Sequence, residues 1–329
     1  MITRRRVLIA LAAGIGLPSE ATHAQPAARV PRVGFLALRR PSDSPGDQFA
    51  GFAEGLRALG YVEGRDVVVE RRYADGRSDR LPALAGELVA MRVDVLVGGG
   101  TQAVSALRAA TTTIPIVMAG ANDPVGSGFV ASLSHPGGNV TGSALVLEDV
   151  TPKQVEILRS LVPTLSRVAV LLHPANAAAA TMAEQAQAQA RRDGMSAVVL
   201  FARAVEDIEP AFATMTRERA DGLVVASDAL FTQQIHQIVA LAARQRLPMI
   251  GAFRQYADAG ALVSYGPSIR EDFVRAASYV HRILQGAKPR DLPVEQAKRF
   301  ELVVNLRTAQ ALGIAVPLDV LVRADDVIR

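Results

Sequence analysis

The chain has 329 residues, of which half are hydrophobic, with a formal net charge of +4 and no cysteine. This length is enough for a large buried core and favours two domains. The absence of cysteine excludes disulfides, thiolate metal sites and thiol nucleophiles. The interspersed charges argue against a nucleic-acid partner.

Residues 1–24 are predicted to be a cleaved export signal. Three arginines at residues 4–6 precede an apolar stretch over residues 7–17, and small residues follow at Thr22 and Ala24. The apolar stretch is too short to span a bilayer. The sequence Thr-Arg-Arg-Arg-Val-Leu also matches a twin-arginine signal, so both the Sec and the twin-arginine routes stay open. Either route predicts a periplasmic mature chain that is not embedded in the membrane.

Short apolar runs then alternate with helical patterns along the chain. The runs show little polar alternation, which is typical of parallel strands that helices cover on both faces. A glycine-rich stretch at residues 135–144 interrupts the alternation, which then restarts. The predicted strands are residues 32–38, 66–73, 93–99, 114–120, 167–173, 196–201, 221–227, 248–253, 260–266 and 300–306. The predicted helices are residues 44–60, with Ser44 as N-cap, and 81–91, 101–110, 151–163, 177–194, 208–219, 231–246 and 269–285.

This order predicts an α/β protein with two Rossmann-like, doubly wound parallel-sheet lobes. Ligands of such sheets bind beyond the carboxyl ends of the strands. That rule selects the loops at residues 39–47, 98–102, 119–125, 173–176, 226–230 and 253–256.

The loop after the third strand carries three consecutive glycines, Gly98 to Gly100. Together with Ala103 they match the dinucleotide pattern G-x-G-x-x-G/A only loosely, because that pattern belongs after the first strand. We predict instead that free N–H groups at the helix start, with Thr101 as cap, hold a small anionic group such as a carboxylate. The alternative is that the glycines only allow tight packing between strand and helix.

Acidic residues follow strands in both lobes. Asp123 and Asp228 could each contact a ligand, and Asp228 could pair with a substrate ammonium group, but capping of the next helix explains both equally well. Phe253 and Tyr256 form either an aromatic wall or packing beneath their loop. We find no zinc-binding histidine spacing and no nucleophile elbow. We therefore expect no catalysis, no metal and no cofactor.

Three long segments resemble a known family. They are LRALGYVEGRDVVVERRYADGRSDRLPALAGELV, AATTTIPIVMAGANDPVGSGFVASLSHPGGNVTG and KRFELVVNLRTAQALGI. Over residues 31–329 the chain resembles ABC-transporter substrate-binding proteins related to tryptophan/tyrosine-type receptors, with the type I periplasmic binding fold. Relatives commonly read Asn-Pro-x-Asn where this chain has His173-Pro174-Ala175-Asn176, which leaves the ligand's identity open.

The resemblance implies two lobes joined by three crossing segments that close on a ligand like a hinge. It implies a first lobe of residues 31–142 plus 266–296, a second lobe of residues 143–265 plus 297–329, and crossings near 140–144, 261–266 and 296–303. The residues that it would place in the ligand site are Gly99, Gly100, Thr101, Gln102, Asn122, Asp123, His173, Asn176, Ser227, Asp228, Phe253 and Tyr256.

The function implied is a receptor for an amino acid or an aromatic or carboxylate compound. Its partners would be the permease and ATPase of an ABC importer, and we expect a monomer. Two alternatives stay open. One is an exported NAD(P)-dependent oxidoreductase, and the other is a ligand sensor for a membrane receptor, which can share the fold.

Overall fold

The first sheet forms where short, almost wholly apolar runs lie side by side. The computed structural model describes residues 29–38, 48–145, 147, 150–174, 179–296 and 299–329. In the described residues, the sheet has six strands, all parallel: β1 (Arg32–Ala37), β2 (Val68–Tyr73), β3 (Val95–Gly99), β4 (Ile116–Asn122), β5 (Val140–Leu145) and β11 (Glu295–Gln296). Their spatial order is β11-β5-β4-β3-β1-β2.

Helices cover both faces of this sheet, as its two-sided apolar character requires. On one face lie α1 (Gln48–Ala58) and α10 (Ile269–Leu284), and on the other lie α2 (Leu81–Ala90) and α3 (Gly100–Ala110). Phe35, Phe52 and Phe273 pack in the core beneath α1 and α10. Short 3-10 turns occur at Ser78–Arg80 and Pro289–Asp291.

The second sheet has seven strands among the described residues. They are β6 (Arg167–Leu172), β7 (Ser196–Phe201), β8 (Gly222–Val225), β9 (Met249–Gly251), β10 (Val263–Pro267), β12 (Phe300–Asn305) and β13 (Asp326–Ile328). Their order is β13-β12-β10-β9-β8-β6-β7. β12 runs antiparallel to β10 and parallel to β13, so this sheet is mostly parallel. The helices around it are α4 (Val150–Leu161), α5 (Ala179–Arg192), α6 (Ile208–Arg217), α7 (Ala229–Gln233), α8 (Ile235–Arg244), α9 (Arg254–Asp258), α11 (Leu306–Leu312) and α12 (Leu318–Arg323).

The two-lobed α/β fold expected from the sequence is confirmed. Both sheets lie within one compact unit, Pro31–Arg329. Each sheet has its own helices, and the second is packed around a single large core cluster that includes Phe212 and Phe231. The predicted export signal and the Ser44 cap lie outside the described residues.

The expected crossings overlap strands of the two sheets. Residues 140–144, the first expected crossing, belong to strand β5 of the first sheet. The second, residues 261–266, contains most of β10, and the third, residues 296–303, contains the start of β12. The single helix expected over residues 231–246 is two helices, because Gln234 leaves the helical conformation with φ −96° and ψ 21°.

One close approach explains a glycine in β5. Gly142 has φ +130°, and a Cβ built on it would lie 2.1 Å from the Met118 carbonyl oxygen of the neighbouring strand. Any side chain here would collide with the backbone of β4. The β4–β5 register also shifts between Met118 and Ala121, which is a bulge, and Gly120 within it has φ +69°.

Candidate functional site

The carboxyl edges of the two sheets are the ends that the chain connects. β5 ends at Leu145, and α4 of the second lobe follows at Val150. β10 ends at Pro267, and α10 of the first lobe begins at Ile269. β11 ends at Gln296 and β12 starts at Phe300, opposite the end of β10. All three connections in the described fold therefore join one carboxyl edge to the other, where ligands of such sheets bind.

The second and third connections are also bonded to each other. The Ser268 backbone N–H donates to the Arg299 carbonyl oxygen at 3.3 Å. The Arg299 guanidinium pairs with Glu271 at 2.8 Å and with Asp325 at 3.3 Å. The two segments consequently run side by side.

The glycine-rich turn lies at the carboxyl end of β3, in the middle of the first edge. A Cβ on Gly98 would lie 2.9 Å from Val104 Cγ2, and one on Gly99 would lie 3.0 Å from Phe273 Cζ, so these two glycines allow close packing. Gly100 faces open space. The first two glycines of this loop thus allow tight packing, as one of the two predictions held. The third glycine has free space beside it, as a binding loop would need.

The cap expected at Thr101 was wrong. The N-cap of α3 is Gly99, which offers no side chain, so the helix begins without a side-chain cap. The Thr101 hydroxyl instead accepts a hydrogen bond from the Asn122 backbone N–H at 2.9 Å. This bond ties the start of α3 to the end of β4. Gln102 is exposed. Among the described residues, no side chain caps the first N–H groups of α3, which are of the kind that binds anions in other proteins.

Asn122 and Asp123 end β4 but have different surroundings. The side-chain oxygen of half-buried Asn122 is shielded from solvent and has no hydrogen-bond partner. The exposed Asp123 carboxylate accepts from the Gly126 backbone N–H at 2.8 Å and so closes a turn. The residues that follow Asp123 form a turn and not the helix that Asp123 was expected to cap.

The second edge carries His173, Ser227 and Asp228. Asp228 is the N-cap of α7 and accepts from the Leu230 backbone N–H at 2.8 Å. Burial raises the pKa of Asp228, while the Leu230 N–H and the charge of His173 act in the opposite direction. The His173 ring lies 3.1 Å from the Arg203 carbonyl oxygen. Ser227 is buried, and Asn176 lies outside the described residues.

Phe253 and Tyr256 belong to the interior of the second lobe. Tyr256 is completely buried, and a Cβ on Gly251 would lie 2.2 Å from its ring. The ring therefore packs against the end of β9. Phe253 is 9% exposed and precedes α9 as its N-cap. Tyr256 therefore packs beneath the loop, whereas Phe253 lies nearer the edge.

The sequence did not single out Asp272, which is 1% exposed near the first edge. Its Oδ2 lies 3.5 Å from the position of a Cβ on Gly120 and has no hydrogen-bond partner. Burial raises its pKa to about 7, although Arg275 and a hydrogen bond from Ser143 lower it. The signal was present in the sequence: Asp272 falls on the same helical stripe as the buried residues Ala276 and Tyr279.

Two further buried polar groups lie on elements of the second lobe. Gln154 of α4 donates to the Tyr265 carbonyl oxygen at 3.0 Å, while its own side-chain oxygen has no partner. The Ser264 hydroxyl of β10 is also buried without a partner. Neither residue was predicted, because a single Gln or Ser inside an apolar pattern gives no distinctive signal.

Comparison with known proteins identifies the family. The ABC transporter substrate binding protein family matches residues 41–328. The chain belongs to this family. Among the residues that the structure describes, no helix combines the length and the apolar character needed to cross a membrane.

Relatives of this substrate-binding protein agree with that result. A tyrosine-binding protein of Clostridioides difficile strain R20291 is 24% identical over 262 residues, covering 80% of this chain and 75% of that protein. An ABC domain from Streptococcus pneumonia, solved with L-Trp, is 26% identical, with a TM-score of 0.79 over 91% of this chain and 99% of its own. A conserved domain protein from Vibrio cholerae is 30% identical, with a TM-score of 0.78 over 91% of this chain and 100% of its own.

Substrate-binding proteins of this family bind small ligands outside the cytoplasm and work with membrane permeases. The family is one of substrate-binding proteins, and one of the neighbours was solved with L-Trp bound. The residues at the two edges are thus to be judged by how they would bind a small molecule.

Proposed function

We propose that this protein is the solute receptor of an ABC importer and captures an amino acid between its two lobes. An aromatic amino acid is the leading candidate for this ligand. The observation that carries the proposal is the arrangement of the three connections. They join carboxyl edge to carboxyl edge, so the ligand-binding ends of both sheets border the same space. Tyrosine and L-Trp, named for two relatives, are the ligands to test first.

The first edge suits the carboxylate of such a ligand. α3 has eleven residues and starts without a side-chain cap, which leaves its positive end and its N–H groups for an anion. The Thr101 hydroxyl is engaged by Asn122, so this part of the site is held rigidly in place.

The second edge supplies groups that a ligand would meet when the lobes close. His173 and Asp228 follow β6 and β8, and Phe253 follows β9. A ligand drives closure only by contacting both lobes in the closed form. The three connections are the hinge in this proposal, and the protein delivers its ligand to a permease without altering it.

A thermal-shift screen of the purified protein tests this function. The panel contains L-tryptophan, L-tyrosine, indole-3-propionate, NAD⁺ and a polyol that carries neither carboxylate nor ammonium. We expect the amino acids to raise Tm. At a free ligand concentration one hundred times Kd, binding should stabilise the folded protein by about 3 kcal/mol. Stabilisation by NAD⁺ alone would favour the oxidoreductase alternative instead.

Small-angle scattering then tests closure. The radius of gyration should fall when the stabilising amino acid is added and stay constant with the polyol. An unchanged profile with a ligand that does raise Tm would remove hinge closure from the proposal while leaving ligand binding intact.

A further inference from the structure

Among the residues that the structure describes, two buried oxygen atoms at the first edge lack hydrogen-bond partners. They are Oδ2 of Asp272 and Oδ1 of Asn122. A buried acceptor without a donor costs free energy, and a buried carboxylate oxygen costs more than an amide oxygen. The first edge therefore holds two unsatisfied acceptors, one of which can carry a negative charge.

The β4 bulge brings these two residues to the same face of the sheet. Val117 and Ala119 of β4 face α10, whereas Met118 faces α2 and α3. The bulge shifts this alternation by one residue, because Ala121 faces the same side as Met118. Asn122 therefore points to the α10 side, where a regular strand would have turned it away.

The neighbouring strand supports this assignment. Asn122 pairs in register with Leu145, and paired residues of adjacent strands share a face. A Cβ built on Gly120 would lie 3.6 Å from Leu145 Cδ2 and 3.5 Å from Asp272 Oδ2. The amide of Asn122 and the carboxylate of Asp272 thus lie on one side of the same strand end.

The neighbouring donors leave Oδ2 of Asp272 without a hydrogen bond among the described residues. Hydrogen bonding with the Ser143 side chain lowers the pKa of Asp272, and the Ser143 hydroxyl oxygen accepts the Gly120 backbone N–H at 3.2 Å. Arg275, one turn along α10, donates through Nη1 to Glu295 at 2.8 Å, and its buried Nε has no partner among the described residues. What the pair of free oxygens requires is a group that only donates. A primary ammonium has three donors and no acceptor, and a carboxylate strengthens each bond through its charge.

We propose that Asp272 and Asn122 form the ammonium subsite of the ligand, so that the first lobe alone recognises an amino-acid head group as a zwitterion. This assignment rests on the proposed function. The bond from Asn122 to Thr101 places the subsite next to the start of α3, where the ligand carboxylate binds. The two charged groups of an α-amino acid are separated by a single carbon, which matches adjoining subsites.

The charges around Asp272 define its expected pH dependence. Glu271 and Arg275 are its charged neighbours on α10, and Glu295 of β11 engages Arg275. Glu54 of α1 pairs with Arg270. Strands β3, β4 and β5 contribute no titratable side chain. Since burial keeps the pKa of Asp272 near 7, an arriving ammonium group displaces a proton at mildly acidic pH.

Calorimetry with L-tryptophan and indole-3-propionate tests the subsite, because these probes differ only in the ammonium group. Asp272→Asn should lower the affinity for L-tryptophan by about 10- to 100-fold, as expected for loss of a charge-assisted hydrogen bond. It should leave the affinity for indole-3-propionate unchanged. Wild type should also release a proton on binding L-tryptophan at pH 6, measured in two buffers of different ionisation enthalpy, and the variant should not.

Two further variants complete the test. Asn122→Ala keeps the backbone N–H that donates to Thr101 and should lower the affinity for L-tryptophan by about tenfold. Asp66→Asn makes the same chemical change on an exposed carboxylate that accepts the Val62 N–H before the start of β2, and it should bind like wild type.

Each result is decisive. Equal affinity of wild type and Asp272→Asn for L-tryptophan, or binding without proton release, overturns the subsite and leaves the receptor function standing. Failure of every amino acid to bind wild type, with another compound of the panel binding instead, overturns the amino-acid function and the subsite together.

Discussion

The two carboxyl edges treat their acidic groups in opposite ways. On the second edge, the Asp228 carboxylate accepts a hydrogen bond from the first turn of α7. On the first edge, Asp272 is more deeply buried and keeps one oxygen without a partner. The second edge has unsatisfied groups as well, at Gln154 and Ser264, but these are neutral.

The difference separates structural from binding roles. A carboxylate that caps a helix contributes to folding whether or not a ligand is present. A buried carboxylate with one unsatisfied oxygen, such as that of Asp272, opposes folding when it ionises. We infer that the first lobe determines the charge of the ligand and that the second lobe contacts its neutral part.

Gly142→Ala should produce the largest loss of stability, because it disturbs the backbone of β4 and β5, whose ends form part of the first edge. The new Cβ would lie 2.1 Å from the Met118 carbonyl oxygen at a positive φ. Strain and overpacking together predict a loss of about 4 kcal/mol or more in the free energy of unfolding. Urea denaturation followed by circular dichroism measures it.

Gly86→Ala is the matched control for that change. Gly86 lies inside α2, and a Cβ there has nothing within 4 Å. Alanine should stabilise the protein by about 0.5 to 1 kcal/mol. A Gly142→Ala protein as stable as wild type would show that β4 and β5 can separate at the bulge.

Asp272→Asn should have the next largest effect, and its sign depends on pH. The folded-state pKa of Asp272, about 7, lies above the ordinary value of 3.8, so ionisation opposes folding. The contribution of Asp272 to stability is therefore fully present below pH 4, is lost progressively between pH 4 and 7, and stays absent above pH 7. Since each pKa unit is worth about 1.4 kcal/mol, the variant should be more stable than wild type at pH 8 by about 4 kcal/mol, and equal to it near pH 4.

Thermal melts from pH 4 to 8 check this prediction without any ligand. Asp66→Asn again serves as the control, because Arg65 and the Val62 N–H hold the pKa of Asp66 below its usual value. Its replacement should act in the opposite direction at neutral pH. A stability difference for Asp272→Asn that does not change with pH would mean that this carboxyl does not titrate near neutrality.

Asp228→Ala should give the smallest effect, a loss of about 1 kcal/mol, because it removes the cap of α7. Asp228→Asn keeps a side-chain oxygen that can accept the Leu230 N–H and should retain most of that stability. Chemical denaturation of the two variants side by side measures the cap. Equal losses in both would assign the contribution to the charge of Asp228 and its proximity to His173.

The fold was predictable because buried parallel strands have a strong sequence pattern. The predicted strands at residues 167–173 and 196–201 match β6 and β7 within one residue. The expected crossings overlap β5, β10 and β12 because extended backbone gives the same sequence pattern in a connector and in a strand. β5 pairs with β4, and nothing within its own residues shows that pairing.

The site was less predictable for a related reason. Strand ends identify loops, and the prediction that a strand ends near Asn122 agrees with the end of β4. Asp272 escaped because two acidic residues in the first turn of a helix are common, and favourable there on electrostatic grounds. Its importance arises only when α10 packs against β4 and β5. Tyr256 differs in the opposite way. The sequence offered it as a ligand contact because it follows a strand, but its side chain lies wholly in the core.

The hydrogen bond from Ser268 to Arg299, with the two ion pairs of Arg299, fastens two adjacent polypeptide strands into one strap. A strap of two bonded strands bends readily in one direction and resists twisting. Relative motion of the lobes would be restricted to rotation about a single axis, so that partial or skewed approaches of the second lobe to a bound molecule would be suppressed. Arg299→Ala would remove the two ion pairs and keep the backbone hydrogen bond, which would loosen the strap without touching either ligand-facing edge.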